Sequence, residues 1–116
     1  SIPDGLNRLS GTLDLVLFRI LQESLTNVHR YSHSQSVDIK LEPGAGEIVL
    51  EVRDYGAGIP PEMLEQFRSG RGTGLGLRSM RERISELGGR FEIQSDQTGT
   101  LIRVQAPVSV PEKKSG

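Results

Sequence analysis

The sequence contains the stretch Gly70-Arg71-Gly72-Thr73-Gly74-Leu75-Gly76-Leu77, in which glycine occupies every second position. Glycine lacks a Cβ and tolerates positive φ, so consecutive backbone N–H groups of such a loop can turn toward one anion. The residues that follow have the spacing of an amphipathic helix, whose first turn also presents unpaired amides. Its apolar positions are Leu75, Leu77, Met80, Ile84 and Leu87. The stretch therefore predicts a phosphate-binding loop in front of a helix.

The spacing of this loop differs from the two commonest phosphate-binding motifs. No Gly-Lys-Ser or Gly-Lys-Thr follows it, so it is not a Walker A loop, and a leucine stands where GxGxxG needs its third glycine. A flexible surface linker can have the same composition. Residues elsewhere in the chain must decide between these interpretations.

Length and composition limit the classes of protein that fit. The 116 residues suffice for one domain with a single two-layer core, and 34% hydrophobic but only 4% aromatic residues predict an aliphatic core. A net charge of −1 argues against non-specific nucleic-acid binding. The absence of Cys excludes a disulfide framework, and no apolar run reaches the roughly 20 residues of a membrane span. Because the chain begins at Ser1, we expect it to be part of a longer protein.

Two periodicities predict the elements that precede the loop. From residue 13 to about residue 31, apolar residues recur at helical spacing. Residues 37–41 and 48–52 alternate between apolar and polar around the turn at 43–46, which indicates an antiparallel hairpin with one dry face. The residues expected on that face are Val37, Ile39, Leu41, Ile48, Leu50 and Val52.

The second half of the chain predicts a lid, a helix and a second hairpin. No clear period runs from residue 54 to about 73 apart from a turn of helix at 61–67, and such a segment is typical of a functional lid. After the second helix, Gly88-Gly89 is a stop signal, and strands are predicted at 91–95 and 100–106. The order predicts an α+β two-layer sandwich with helices on one face of a largely antiparallel sheet.

Polar residues stand where these elements end. Glu23, Asn27 and Arg30 share one face of the first helix, at the edge of its apolar stripe. Mg²⁺ takes oxygen ligands and often needs only one or two protein groups beside phosphate oxygens, so the side-chain oxygen of Asn27 would suffice. Glu23, one turn earlier, can hold or activate a water or hydroxyl near a γ-phosphate.

A second polar cluster, Asp54-x-Gly56-x-Gly58, follows the second predicted strand. Asp54 can accept a hydrogen bond from an exocyclic amine such as that of adenine, and the glycines can let the chain pass close to a flat base. Taken singly, these features have simpler interpretations: a solvated helix face, a turn, or a calcium-like loop. His29 and His33 have a spacing that zinc can use, but no acidic third ligand lies nearby in the sequence.

Three segments together resemble the motif set of the GHKL (Bergerat-fold) ATPases. Residues 20–30 (ILQESLTNVHR) look like the N box, residues 54–60 (DYGAGIP) like the G1 box, and residues 72–77 (GTGLGL) like the G2 box. Within that superfamily, residues 78–84, 87–89 and 99–100 are similar to the catalytic ATP-binding domain of bacterial sensor histidine kinases. The nearest subgroup partners LuxR/NarL-type response regulators. The resemblance covers about residues 13–107.

The resemblance implies a fold, a division of the chain and a site. The implied fold is a Bergerat two-layer α/β sandwich with a mostly antiparallel mixed sheet. The implied division of the chain is a lead-in segment at 1–12, the domain at 13–107 and a flexible tail at 108–116. Within the domain, an ATP lid is implied at about 55–73. Asn27 would ligate Mg²⁺, Glu23 would be the catalytic acid of the N box, and Asp54 would read adenine. The other implied nucleotide-binding residues are Arg30, Gly56, Gly58, Gly72, Thr73, Gly74, Leu75, Gly76, Leu77 and Thr100. Thr100 would support the adenine contact through water. Tyr31 and Ser32 depart from the family pattern, which usually has His and commonly has Ala at these positions.

The implied function is transfer of the γ-phosphoryl group of Mg·ATP to a histidine on a separate dimerisation domain, with a LuxR/NarL-type response regulator as a further partner. His29 and His33 follow the N box, so neither is expected to be the phosphoacceptor. The domain is expected to be cytoplasmic within a parent protein that can be membrane-anchored, and to contact neither nucleic acid nor membrane. Alternatives are an anti-sigma-factor-type serine kinase, a degenerate nucleotide-binding scaffold and an interaction domain that binds no nucleotide.

Overall fold

The computed structural model describes residues 11–70 and 76–108. The elements in chain order are α1 (Gly11–Asn27), a π-helix (Val28–Ser32), β1 (Val37–Pro43), β2 (Glu47–Asp54), α2 (Pro61–Arg68), α3 (Arg78–Glu86), β3 (Arg90–Asp96) and β4 (Gly99–Pro107). The four predicted strands and the helical turn in the lid are confirmed to within two residues at each end. No helix in the described ranges is long and apolar enough to cross a membrane.

The first helix changes its winding before it ends. It is α-helical to Asn27, and the next five residues form a π-helix that closes with His33 in the left-handed conformation, at φ 55°. The His33 backbone N–H donates to the Val28 carbonyl at 2.6 Å. Because a π-helix holds more residues per turn, the α-helical wheel no longer gives the direction of side chains beyond Asn27.

The sheet has the strand order β1-β2-β4-β3, and all three pairings between its described strands are antiparallel. The register places Ile102 between Val52 and Ile93 on one face. The α1 helix packs over β2 and α3 packs over β3 on that face, which gives an aliphatic core with one buried aromatic ring, Phe67. The α+β two-layer sandwich is therefore confirmed.

The opposite face of the sheet is charged and faces solvent. Glu51 lies in register between Lys40 on β1 and Arg103 on β4. Its carboxylate is 2.9 Å from the Arg103 Nε and 3.9 Å from the Lys40 Nζ. Opposite charges in directly paired positions stabilise neighbouring strands modestly.

The prediction of one dry face for the first hairpin is wrong for β1. Ile48, Leu50 and Val52 on β2 are buried, but Ile39 and Leu41 remain 49% and 37% exposed. The reason is their place in the sheet: β1 is the outer strand, whereas α1 lies over its neighbour β2. Alternation predicted which residues share a face, but it did not predict whether a helix covers that face.

Candidate nucleotide-binding site

A narrow cavity opens where the C-terminal end of the first helix meets the ends of β2 and β4. The space inside it that a water-sized sphere can occupy is about 10 Å³, and the empty space counted out into its open mouth is about 260 Å³. Its lining is Ser24, Asn27, Val28, Ser32, Val52, Asp54, Ile59, Thr100 and Ile102. Three residues that the sequence nominated separately, Asn27, Asp54 and Thr100, are thus brought into one wall. Apolar side chains with a few convergent polar groups are typical of a small-molecule site.

The described residues hold the Asp54 carboxylate through one of its two oxygens. Its Oδ1 accepts hydrogen bonds from the Ser32 hydroxyl at 2.5 Å, the Gly56 N–H at 3.1 Å and the Thr100 N–H at 3.2 Å. The side chain is almost fully buried, and the hydrogen bonds that it makes with the described residues involve Oδ1. One oxygen therefore fixes the carboxylate, and the other is available to a ligand in the cavity.

The glycines of the G1 box allow a close approach to the protein's own backbone. A Cβ on Gly56 would lie 2.1 Å from the Ser32 carbonyl oxygen, and one on Gly58 would lie 2.2 Å from the Asp96 carbonyl oxygen. Gly58 also has a φ of +84°. These contacts give a reason for the two glycines that does not depend on a bound base.

Thr100 contacts Asp54 directly, and the water-mediated contact with adenine that the resemblance implied stays a prediction. Its backbone N–H donates to the carboxylate, while its hydroxyl lies 2.9 Å from the Ser95 Oγ. Ser95 in turn accepts the Ile59 N–H at 2.8 Å. A hydrogen-bonded chain thus connects β3 and β4 to the segment that follows Asp54.

The three site residues that were predicted within the N box have different surroundings. Asn27 is buried and lines the cavity, whereas Glu23 is half-buried one turn earlier. A Cβ on Gly76 would lie 2.4 Å from the Glu23 Oε1, so Glu23 is adjacent to the last glycine of the G2 box. Arg30 is exposed, with its guanidinium carbon 5.7 Å from the centre of the Tyr31 ring, and it is not part of the cavity lining. The π-helix accounts for this separation, since Arg30 follows the change in winding.

The other G2 residues are only partly described. The Leu77 side chain is completely buried in the core, where it precedes the first residue of α3. Gly76 has a φ of +71°, which favours glycine. Gly72, Thr73, Gly74 and Leu75 lie outside the described residues.

The lid segment contains a helix that two arginines connect to the rest of the domain. Arg81 of α3 donates to the Phe67 carbonyl at 2.6 Å, and its guanidinium carbon lies 4.4 Å from the centre of the Phe67 ring. Arg68 donates to the Ile93 carbonyl of β3 at 3.2 Å. The helical pattern of the sequence gave no signal for this role of Arg81.

Sequence reasoning also missed the serines around the carboxylate. Ser32 was noted only as a departure from the family pattern, yet it makes the shortest hydrogen bond to Asp54. Ser24 lines the same cavity but donates to the Ile20 carbonyl at 2.6 Å. Both serines follow Glu23 on a helix that lines the site, so their small polar side chains beside the N box were the available signal.

The residues of this site fit a magnesium ion that is bound together with phosphate. Within 11–70 and 76–108, no group of three or more His, Cys, Asp or Glu is placed to hold a metal. Mg²⁺ commonly keeps several waters and is bound through one or two protein oxygens and substrate phosphates. The Asn27 side chain, buried in the cavity wall, has an oxygen of the required type.

The fold is an α+β sandwich, and its cavity brings together residues that the nucleotide-binding motifs nominated. The family described as "Histidine kinase-, DNA gyrase B-, and HSP90-like ATPase" matches residues 13–110. The chain belongs to that family, and the resemblance to GHKL ATPases is confirmed.

Sensor kinases are among the relatives. The chain is 37% identical over 101 residues to the sensor protein VraS of Staphylococcus epidermidis, covering 86% of this chain and 27% of VraS. It is 38% identical over 99 residues to the sensor histidine kinase LiaS of Bacillus subtilis, covering 84% of this chain and 26% of LiaS. It thus spans about a quarter of the length of these relatives. The structure of the Acinetobacter baumannii histidine kinase AdeS superimposes with a TM-score of 0.65 over 82% of this chain and 47% of that chain; at 23% identity it supports the fold.

Proposed function

We propose that this chain is the catalytic ATP-binding domain of a sensor histidine kinase. The observation that carries the proposal is the buried Asp54 carboxylate, which is held by three donors on one oxygen beside a cavity that Asn27 also lines. The family and the relatives named as sensor kinases support the same function.

Base recognition would depend on the second oxygen of Asp54. The 6-amino group of adenine donates a hydrogen bond that this oxygen can accept, whereas guanine presents a carbonyl oxygen at the same position. A carboxylate that faced that carbonyl would lose its partner, and leaving a buried charged group unpaired is costly. Val52, Ile59 and Ile102 supply an apolar surface for the ring. We therefore expect ATP to be preferred over GTP.

Phosphoryl transfer would take place beside the last turn of α1, which carries Glu23 and Asn27. Asn27 would hold Mg²⁺ through its side-chain oxygen, and the ion would neutralise phosphate charge when bound. A nitrogen lone pair of the acceptor histidine forms a bond to the γ-phosphorus, and the bond from that phosphorus to the bridging oxygen breaks as ADP leaves. Glu23, beside Gly76, would accept a hydrogen bond from the N–H of the incoming imidazole and so orient the ring. Positioning and charge neutralisation would supply most of the rate enhancement.

The acceptor histidine and the response regulator would belong to other domains. We propose that the acceptor lies on a dimerisation domain of the same protein and that the regulator is of the LuxR/NarL type, as the boxes imply. ATP is a cytoplasmic metabolite, so we place the domain in the cytoplasm. By itself the chain should bind nucleotide with little turnover, because the acceptor is elsewhere.

The first test is a calorimetric titration of the chain with a non-hydrolysable ATP analogue, with and without Mg²⁺. Asp54→Asn should weaken binding by on the order of 100-fold, because it replaces a charged acceptor in a buried site. Asn27→Ala should remove the effect of Mg²⁺. Asp14→Asn, which changes an exposed carboxylate on α1, is the matched control and should bind as the wild type does. No binding by the wild-type chain, or full binding by Asp54→Asn, would contradict the proposal.

A second test identifies the acceptor. The chain is mixed with γ-labelled ATP and either a histidine-containing dimerisation domain or a serine-containing anti-anti-sigma-type protein. Acid-labile label on the first is expected, because phosphohistidine hydrolyses in acid whereas phosphoserine does not. Acid-stable label on the second would replace the histidine kinase assignment with a serine kinase.

A further inference from the structure

We propose that Ser32 is a positioning residue for adenine recognition, acting through Asp54. This inference rests on the proposed function, since it assumes that Asp54 contacts the base. It assigns a role in base specificity to a hydroxyl at the end of the π-helix.

The direction of the hydrogen bond between the two side chains is fixed by their chemistry. The Ser32 hydroxyl is 2.5 Å from the Asp54 Oδ1, and an ionised carboxylate can only accept, so Ser32 donates its single proton. The hydroxyl oxygen accepts in turn from the Gly58 N–H at 3.2 Å. Ser32 and Asp54 are both buried, so neither bond can be replaced by bulk water without rearrangement. The hydroxyl thus has one defined orientation.

This donor determines which carboxylate oxygen faces the cavity. The terminal torsion of an aspartate side chain is broad and roughly two-fold, so packing alone does not hold it at one angle. The other two donors to Oδ1, the N–H groups of Gly56 and Thr100, lie at 3.1 Å and 3.2 Å. The hydroxyl is closer, and O–H···O⁻ bonds are among the stronger hydrogen bonds in proteins. Without it, the carboxylate keeps its charge but loses its best-placed partner, and its second oxygen is no longer held toward the base.

The position of Ser32 itself does not depend on its hydroxyl. Its carbonyl oxygen accepts the Ala57 N–H at 2.9 Å, and Gly56 packs against that same carbonyl. The next residue, His33, closes the π-helix through its own backbone. These main-chain contacts remain when the side chain is shortened. A Ser32→Ala variant should therefore fold and bind nucleotide, and its defect should be confined to the base.

The test compares ATP with purine riboside 5′-triphosphate, which lacks the 6-amino group. Dissociation constants are measured by calorimetry for the wild-type chain, Ser32→Ala, Ser32→Cys and Ser24→Ala. Ser24 is the matched control, because it is a buried serine of the same cavity whose hydroxyl donates to a backbone carbonyl. Ser32→Cys keeps the shape but replaces a strong donor with a weak one.

Ser32→Ala should weaken ATP binding by about tenfold, the loss expected for one buried hydrogen bond, and should change binding of the purine analogue by less than about twofold. Ser32→Cys should show the same selectivity with a smaller loss, and Ser24→Ala should affect both nucleotides equally. An equal loss for both nucleotides in the Ser32 variants, or none for either, would overturn the role in base recognition while leaving the proposed function in place. If the wild-type chain binds neither nucleotide, the proposed function fails and this role fails with it. Thermal melting of each variant identifies any that has not folded, and Ser32→Cys then decides the question.

Discussion

The Asp54 carboxylate and helix α2 are separated by only six residues, yet the structure holds them in different ways. Asp54 is buried and receives three hydrogen bonds, two of them from backbone N–H groups. The α2 helix is connected through the long side chains of Arg81 and Arg68, which donate to backbone carbonyls. Arginine side chains have many rotamers, whereas backbone donors have few alternatives. The cavity wall formed by Asn27, Asp54 and Thr100 is therefore fixed by the fold. In contrast, α2 is held by side chains that can release it.

The apolar contacts of α2 limit how it can move. Leu64 and Phe67 are buried, and the Phe67 ring lies 5.5 Å from the Phe91 ring of β3. The exposed face of α2 carries charged and polar side chains. A displacement of α2 would therefore separate Phe67 from Phe91 and break the Arg81 bond together, while the hydrogen bonds on Asp54 need not change. We expect the lid to respond to nucleotide without alteration of the wall.

The largest effect is expected from Gly58→Ala, which disturbs the wall. The new Cβ would meet the Asp96 carbonyl oxygen at 2.2 Å, at a φ of +84°. Gly46→Ala is the matched control, because Gly46 has a similar φ of +78° with no atom within 4 Å of its Cβ. The control should lose about 1 kcal/mol of unfolding free energy, and Gly58→Ala should lose about 2 kcal/mol more. Urea denaturation measures both values. Equal losses would show that the backbone conformation, and not the contact, makes glycine necessary.

A smaller and more local effect is expected from Arg81→Gln. The variant loses the bond to the Phe67 carbonyl and the contact with its ring, so α2 should be destabilised by about 1 kcal/mol. Hydrogen exchange should become faster in the amides of α2 and remain unchanged in β2. Arg83→Gln is the control, because the contact that Arg83 makes with the described residues is an exposed ion pair with Glu86 at 3.6 Å. Faster exchange in β2 as well would show that the wall and the lid open as one unit.

The smallest effect concerns the turn between β3 and β4, which precedes Gly99. The Thr98 hydroxyl and the Thr98 backbone N–H both donate to Asp96 and lower the pKa of that carboxyl below its usual 3.8. The hydroxyl has the larger effect. A lowered pKa adds stability that is present above the unfolded pKa and is lost as the pH falls through the folded pKa. Thr98→Val should raise the pKa of Asp96 toward its usual value and so reduce this loss in acid, while nucleotide binding near neutral pH is unchanged. An NMR titration measures the shift, and Thr26→Val, whose hydroxyl donates to the Gln22 carbonyl, is the control. An unchanged pKa in Thr98→Val would refute the assignment.

Periodicity in the sequence was sufficient to predict the strands and the helices, apart from the π-helix. The alternation of Ile48, Leu50 and Val52 correctly predicted β2 and its buried face. The same pattern in Ile39 and Leu41 was misleading, because the coverage of a strand depends on where other elements pack. Local sequence sets the direction of side chains within a strand, and tertiary packing decides which face of the strand is buried.

The site was less predictable than the fold, because its geometry depends on contacts between distant residues. Asn27 and Asp54 could be nominated from their motifs, but the bond from Ser32 to Asp54 joins positions 22 residues apart. The change from α-helix to π-helix after Asn27 has no periodic signal, so the direction of Arg30 could not be derived from a helical wheel. A glycine pattern likewise shows that something approaches closely, without showing whether it is a ligand or the chain itself.

Three glycines around the cavity face the backbone of the same protein. Gly56 packs against Ser32, Gly58 against Asp96, and Gly99 against the Asp54 carbonyl, where a Cβ would lie 2.1 Å away. In a descendant that no longer used nucleotide, these glycines would still be required for folding, whereas the carboxylate of Asp54 and the hydroxyl of Ser32 could be replaced. A genome sequence that retains the glycines but has lost that pair therefore records the ancestry of a protein and not its present activity.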